Sequence, residues 1–300
     1  LSAGINHEIC NPLGIARGAE VDVEVRGVNL GDLKSLKVKA AENAEPGSRV
    51  DVPVKLAAGS PLNSKNLVVG EFPEAIEQGT NDDGAGANAV PTPATVNGRI
   101  ERPGDVDVFR FAAKKGQRLI VDVNARRLGS PLDSFVEILD GAGKPLPRAT
   151  LRSLAKTYTV FRDHESTSPG IRIEDWRELA VNDYVMIGNQ LLRILALPKN
   201  PDDDCQFFQL RGQRVGYFDT TPAAVSVSTP IYKVSLHAPG TQFPPNGMPL
   251  NTIPFANDDG GPQYVKDSRL FFDPPADGEY FVRISDVRGQ EAAKRAGWRL

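Results

Sequence analysis

The chain has 300 residues, with 35 lysines and arginines against 38 aspartates and glutamates, a net charge of −3 spread along its length. That balance excludes the basic footprint of a nucleic-acid binder, and no apolar run reaches the roughly 18–20 residues needed to cross a bilayer as a helix. The 28 glycines and 24 prolines leave little room for long helices and favour many short strands, so the fold class is mainly β.

Residues 1–20 carry little pattern, and the start at Leu1 reads as that of a fragment or a processed piece. Valine alternates with acid over residues 19–25, which predicts a strand with one buried and one wet face. Further runs at 33–40, 49–56 and 66–69, separated by Gly and Pro turns, predict a small immunoglobulin-like domain over 1–72, incomplete at its start. The polar, Gly-rich stretch 73–92 reads as a linker. In residues 96–124, Phe109 and Phe111 form one apolar face and Leu119, Val121 and Val123 another. Lys114-Lys115-Gly116-Gln117 between them predicts a hairpin.

A strand follows at 134–140. From 150 to 256 the pattern is less regular: short strands are predicted at 171–173, 183–187, 191–197, 205–210, 214–218 and 231–236, with a helical turn or two at 174–180. The earlier style returns at 270–272 and 280–284 across an Asp277-Gly278 turn, and Trp298 and Leu300 predict a last strand.

Asp105 and Asp107 share one face of a strand end, with Glu77, Asn81 and Asp82 on the approach. Clustered carboxylate and amide oxygens suit calcium, which takes about six to eight oxygen ligands; the alternative is that the acids bond backbone amides and shape turns. Asn257-Asp258-Asp259-Gly260-Gly261 with Asp267-Ser268, and Pro201-Asp202-Asp203-Asp204, read as solvated turns. Asp163, His164, Glu165 and Cys205 concentrate reactive residue types in 150–256, so a hydrolase site there is the rival reading. Neighbours in sequence rarely converge on one reacting atom, however, and no Gly-x-Ser-x-Gly, His-Glu-x-x-His or Cys-x-x-Cys motif accompanies them. Cys10 and Cys205 fall in separate units, and no disulfide is expected between them. Tyr280 and Trp176, with Tyr217, Phe218 and Tyr232, are candidate aromatic ligand contacts, weighed against a role in the core.

Six motifs then occur in a telling order: Asn81-Asp82, Val96-Asn97-Gly98, Gly104-Asp105-Val106-Asp107-Val108-Phe109, Gly116-Gln117-Arg118-Leu119, Leu132-Asp133 and Asp277-Gly278-Glu279-Tyr280. The set resembles the bacterial pre-peptidase C-terminal (PPC) domain, a jelly-roll-like β-sandwich appended to secreted peptidases and other exported proteins. That family is similar to the collagen-binding modules of clostridial collagenases. The resemblance covers residues 71–149 and 257–300. An Asn-Asp-Asp turn that the family places shortly after the position of Leu146 stands here far downstream, at Asn257-Asp258-Asp259. Residues 93–149 and 257–300 are therefore expected to form one PPC-like sandwich, with 150–256 a β-rich domain inserted into it. Loop tips accept such insertions because closure entropy grows slowly with length.

The resemblance implies calcium held by Glu77, Asn81, Asp82, Asp105 and Asp107, and an exported location, whether periplasmic, cell-surface or secreted. It implies a non-catalytic adhesion or substrate-targeting role toward an extracellular protein or polysaccharide. A structural spacer in a larger surface protein is the third reading.

Overall fold

A computed structural model describes residues 6–57, 59, 62–287 and 296–300. It is mainly β, built of several sheets, with no α-helix among the described residues.

The valine–acid alternation does form a strand, Glu20–Val28, with Val23 and Val25 buried. It pairs with Asn6–Asn11 on one side and Ser35–Lys39 on the other. A second three-stranded sheet, Gly14–Ala16, Asn66–Gly70 and Arg49–Asp51, closes over it, and Ile15, Leu67 and Val69 meet Val23 and Val25 between the two. Residues 1–20, unpatterned in sequence, thus supply a strand to each sheet. The side chain of Cys10 lies outside the described residues.

The segment 73–92 departs from a linker. Glu74–Ile76 runs parallel to Thr95–Ile100, and Asn88–Ala89 runs parallel to Val106–Ala113. Its polar middle folds back on itself: the Gln78 amide donates to Asn88 Oδ1 at 2.8 Å, and Asn88 Nδ2 donates to the Gln78 carbonyl at 3.0 Å. Strand residues at both ends tie what composition alone marks as flexible.

Residues far apart in the chain share the next sheet. Its order is Ala256–Asn257, Ser134–Leu139, Gly278–Asp286, Val106–Ala113, Asn88–Ala89, with Phe109 opposite Val282 and Phe111 opposite Tyr280. The facing layer contains Leu119–Asp122 paired with Arg269–Phe272 and Ala296–Arg299 paired with Thr95–Ile100. Phe109, Phe272 and Trp298 are fully buried between the layers; burying a phenylalanine stabilises by roughly 1.5–3 kcal/mol. Phe111, Phe255 and Tyr280 each meet Phe272 edge-on, and Phe111 and Tyr280 are tilted to each other.

The turn at 114–117 is not a hairpin. Val106–Ala113 and Leu119–Asp122 lie in opposite layers, so the chain arches over the end of the sandwich. Phe109 and Phe111 reach the core from one layer and Val121 from the other, because Val106–Ala113 pairs with Gly278–Asp286 and Leu119–Asp122 with Arg269–Phe272. The Asp277-Gly278 turn makes a second arch, and Asp277 Oδ1 accepts the Lys115 amide at 2.8 Å, joining the two.

Between these halves stands a seven-stranded sheet drawn wholly from residues 147–254: Gly170–Ile171, Cys205–Phe207, Gln190–Ala196, Tyr184–Ile187, Pro230–His237, Pro147–Tyr158, Leu250–Pro254. Residues 174–180 are turns rather than helix. The exit and return strands of this segment pair with each other, Pro147 opposite Pro254 and Ala149 opposite Ile253. At their base the Phe255 amide donates to the Leu146 carbonyl at 3.0 Å, and Leu146 and Phe255 both pack into the sandwich core.

Candidate functional site

Where the seven-stranded sheet meets the sandwich, loops from both enclose a groove of about 570 Å³, within the size range of small-ligand sites. One wall begins with the strand pair Gln209–Leu210 and Gln213–Arg214, joined by Arg211-Gly212 with φ of 54° and 81°. These are the paired left-handed residues of a tight two-residue turn. Arg214, 2% exposed, fixes the neighbouring loops: it donates to Gln190 Oε1 and to the carbonyls of Glu165, Ser168 and Ala223. With no ion-pair partner among the described residues, it is held by burial at a lowered pKa of about 10.

The wall continues through a turn that only glycine permits at position 216, where a Cβ would stand 1.7 Å from the Thr220 carbonyl oxygen. Phe218 and Asp219 follow, both left-handed at φ 55° and 57°. This strained turn is the joint between the two β units. Asp219 pairs with Arg148 and accepts the Phe271 amide at 3.2 Å, and its own carbonyl accepts Asn257 Nδ2 at 2.8 Å. The Arg148 guanidinium lies over the rings of Phe218 and Phe255, 5.1 Å from each.

The opposite wall is the acidic loop read from sequence as solvated. It is a joint instead. Asp267 is fully buried and receives the amides of Ala125, Arg126 and Arg127 and the Arg127 Nε, and buried Asn257 ties Asp219 to Arg269. Asp259 and Lys266 face the groove as an ion pair at 2.9 Å. Burial raises the Asp259 pKa and Lys266 opposes that rise. Val265 beside them has φ 61° and is 63% exposed, and a β-branched residue there is under real strain. Strained residues at both walls cost on the order of 1–3 kcal/mol each, and such strain clusters at functional sites.

The five residues assigned to calcium reach one corner of the sandwich but divide into two sets. Glu77 and Asp107 are hydrogen-bonded to each other, with the proton on Asp107. Asp107 also takes Trp298 Nε1 at 2.8 Å, and Glu77 takes the Arg99 amide at 2.8 Å. Burial, and then the charge of Glu77, pushes Asp107 up to about 9. Asp82 and Asp105 are bridged by Arg102, and Asp105 also accepts the Glu101 amide at 2.7 Å. Asn81 is buried, with its side-chain nitrogen toward the Val108 carbonyl at 3.5 Å. Among the described residues no three such side chains are arranged to hold a metal. The Arg102 guanidinium stands between Asp82 and Asp105, and the side chains do not converge on one point, so the set does not fit the ion as arranged.

Tyr280 was a candidate ligand contact, but it is 6% exposed in the sandwich core with its hydroxyl on the Ala276 carbonyl, because its strand face is the inward one. Trp176 is half-buried against the core of the inserted sheet, beside a shallow depression shared with Tyr158 and Lys156. It does not line the groove.

Three of the four reactive residues of 150–256 are committed elsewhere, and Glu165 is exposed, with its backbone carbonyl on Arg214. His164 is 3% exposed and its Nε2 accepts the Arg172 amide at 3.0 Å, and Asp163 accepts the Val227 amide at 2.8 Å. Cys205 is a free, fully buried thiol whose pKa burial lifts to about 12, and the thiolate is the reactive form. In native protein at pH 8 the Cys205 peptide should take up no iodoacetamide, and should take it up after unfolding in urea. Rapid native labelling read by mass spectrometry would show that the thiol is activated after all.

Sequence reading missed the groove because its walls come from segments some fifty residues apart whose turns look ordinary; the Gly216 position was the one local signal. Compared with protein-family models and with curated proteins, the chain matches none of them.

Proposed function

We propose that this chain is a non-catalytic binding or targeting segment of an exported or cell-surface protein, one that holds an extracellular protein or polysaccharide. The observation that supports the reading is the groove itself. It is formed where two β units are joined through Asp219, Asn257 and Arg148, and strained residues stand on both walls. A rigid cleft between two scaffolds suits recognition, since little ordering is needed on binding.

The resemblance to PPC modules supplies the exported setting. The test is a pull-down of the purified chain on insoluble collagen, cellulose, chitin and cell-wall preparations, with millimolar calcium and with chelator. Retention on at least one matrix is expected. Recovery from none, in either condition, would overturn the binding reading and leave the spacer and hydrolase readings.

A further inference from the structure

We propose that the groove takes an uncharged, hydroxyl-rich ligand, a short stretch of neutral polysaccharide. This rests on the binding reading above and adds a site and a chemistry to it.

Two hydrogen-bonding atoms of the sandwich wall have no hydrogen-bond partner: Oδ1 of Asp259 and Nε of Arg269, the latter with the Asp122 carboxylate 3.8 Å away as an ion-pair neighbour beyond hydrogen-bond reach. One can only accept and the other can only donate. An anionic ligand answers the second and is opposed by the carboxylates of Asp219 and Asp259, which line the same groove. A cationic ligand answers the first and is opposed by Lys266 and Arg269. A hydroxyl both donates and accepts, so a polyol answers both with no charge of its own. Unpartnered buried polar atoms are costly, which gives a ligand that reaches them a specific advantage.

The rest of the groove agrees with this choice. The Asp259–Lys266 pair sets an acceptor and a donor side by side at 2.9 Å, the arrangement that two adjacent hydroxyls can bridge. Arg269 is held flat between the rings of Tyr264 and Phe271, at 5.0 and 5.2 Å. Leu210, Val215 and Phe271 give apolar surface for the carbon–hydrogen faces of sugar rings, and Thr167 and Gln213 add polar groups from the other wall. The Asp259 and Arg269 side chains both line the groove and are 21% and 28% exposed, so a ligand there lies against them.

The experiment is native gel electrophoresis of the whole chain through gels containing laminarin, xyloglucan or galactomannan, with polygalacturonate and gelatin as acidic and protein comparisons. Two variants accompany it: Asp259→Ala removes the acceptor, and Thr167→Trp fills the groove from an exposed position that touches no core. Circular dichroism and the urea midpoint report whether each is folded. The expected result is retardation by at least one neutral polysaccharide, weakened at least about tenfold, or about 1.4 kcal/mol, by Thr167→Trp and by Asp259→Ala if that variant folds. Retardation undiminished in a folded Thr167→Trp overturns the groove as the site while leaving the binding reading. Retardation by polygalacturonate or gelatin alone overturns the ligand class and also leaves it. Mobility unchanged in every gel counts against both.

Discussion

Replacing Asp107 with asparagine is expected to make the protein more stable at pH 8 and to remove most of the decline in its stability between pH 5 and 9. Asp107 sits in the sandwich at 1% exposure, its carboxyl hydrogen-bonded to Glu77 and its pKa pushed up to about 9 by burial first and by the Glu77 charge second. In the unfolded chain the same carboxyl releases its proton near its ordinary value of 3.8. Between those two values the folded form holds a proton that the unfolded form has lost. Stability from this group is therefore fully present below about pH 4 and falls as pH rises toward 9, by up to about 1.4 kcal/mol per pH unit.

An asparagine keeps the acceptor for Trp298 Nε1 and a donor for Glu77 without any proton to lose. Urea midpoints at pH 5, 7 and 9 check this. A wild-type midpoint that is flat or rises with pH would mean the pair is not protonated as described, and a slope surviving in Asp107→Asn would place its origin elsewhere.

Trp298→Ala should lower stability by roughly 3–5 kcal/mol, enough to unfold many domains outright. The indole is fully buried, meets Phe109 edge-on at 5.4 Å between centroids, and lies across Gly98 so closely that a Cβ there would be 2.3 Å from it. Phenylalanine at the same position retains most of the packing but strands the Asp107 oxygen, at a cost of about 1–3 kcal/mol. The two variants separate cavity from hydrogen bond in one set of urea titrations. A loss below about 1 kcal/mol for the alanine would show that the final strand contributes little to the sandwich.

Much of the architecture could be read from residues because alternation reports which face is dry. Val23 and Val25, Phe109 and Phe111, Val136 and Ile138, Tyr280 and Val282 all point inward as their period of two requires. The same rule fails at Pro147–Tyr158, the longest strand. There Ser153 is buried, donating to the Pro249 carbonyl at 2.7 Å, Leu154 is 47% exposed, and the register shifts between Ser153 and Ala155. A polar residue inside, an apolar one outside and a bulge erase the pattern.

Turns are equally ambiguous. Lys114-Lys115-Gly116-Gln117 has the composition of a hairpin whether the next strand joins the same sheet or crosses to the other, and the distant strands that each pairs with decide. The destinations of the acids were the least legible feature. Asp83 caps an exposed loop by accepting the Ala85 and Gly86 amides, while Asp107 and Asp267 are sealed inside. Nothing beside them in the chain distinguishes the three, since Asp107 and Asp267 meet Trp298 and residues 125–127, well over a hundred positions away.

The pairing of Leu146 with Phe255 at the foot of the inserted segment has a mechanical consequence. Tension drawn along the polypeptide passes between those strands, and across the flanking hydrogen bonds of Ser134–Leu139 with Gly278–Asp286, before it can reach residues 147–254. While that seam holds, the intervening hundred residues hang slack beside the line of pull, as a moored boat does beside a taut cable.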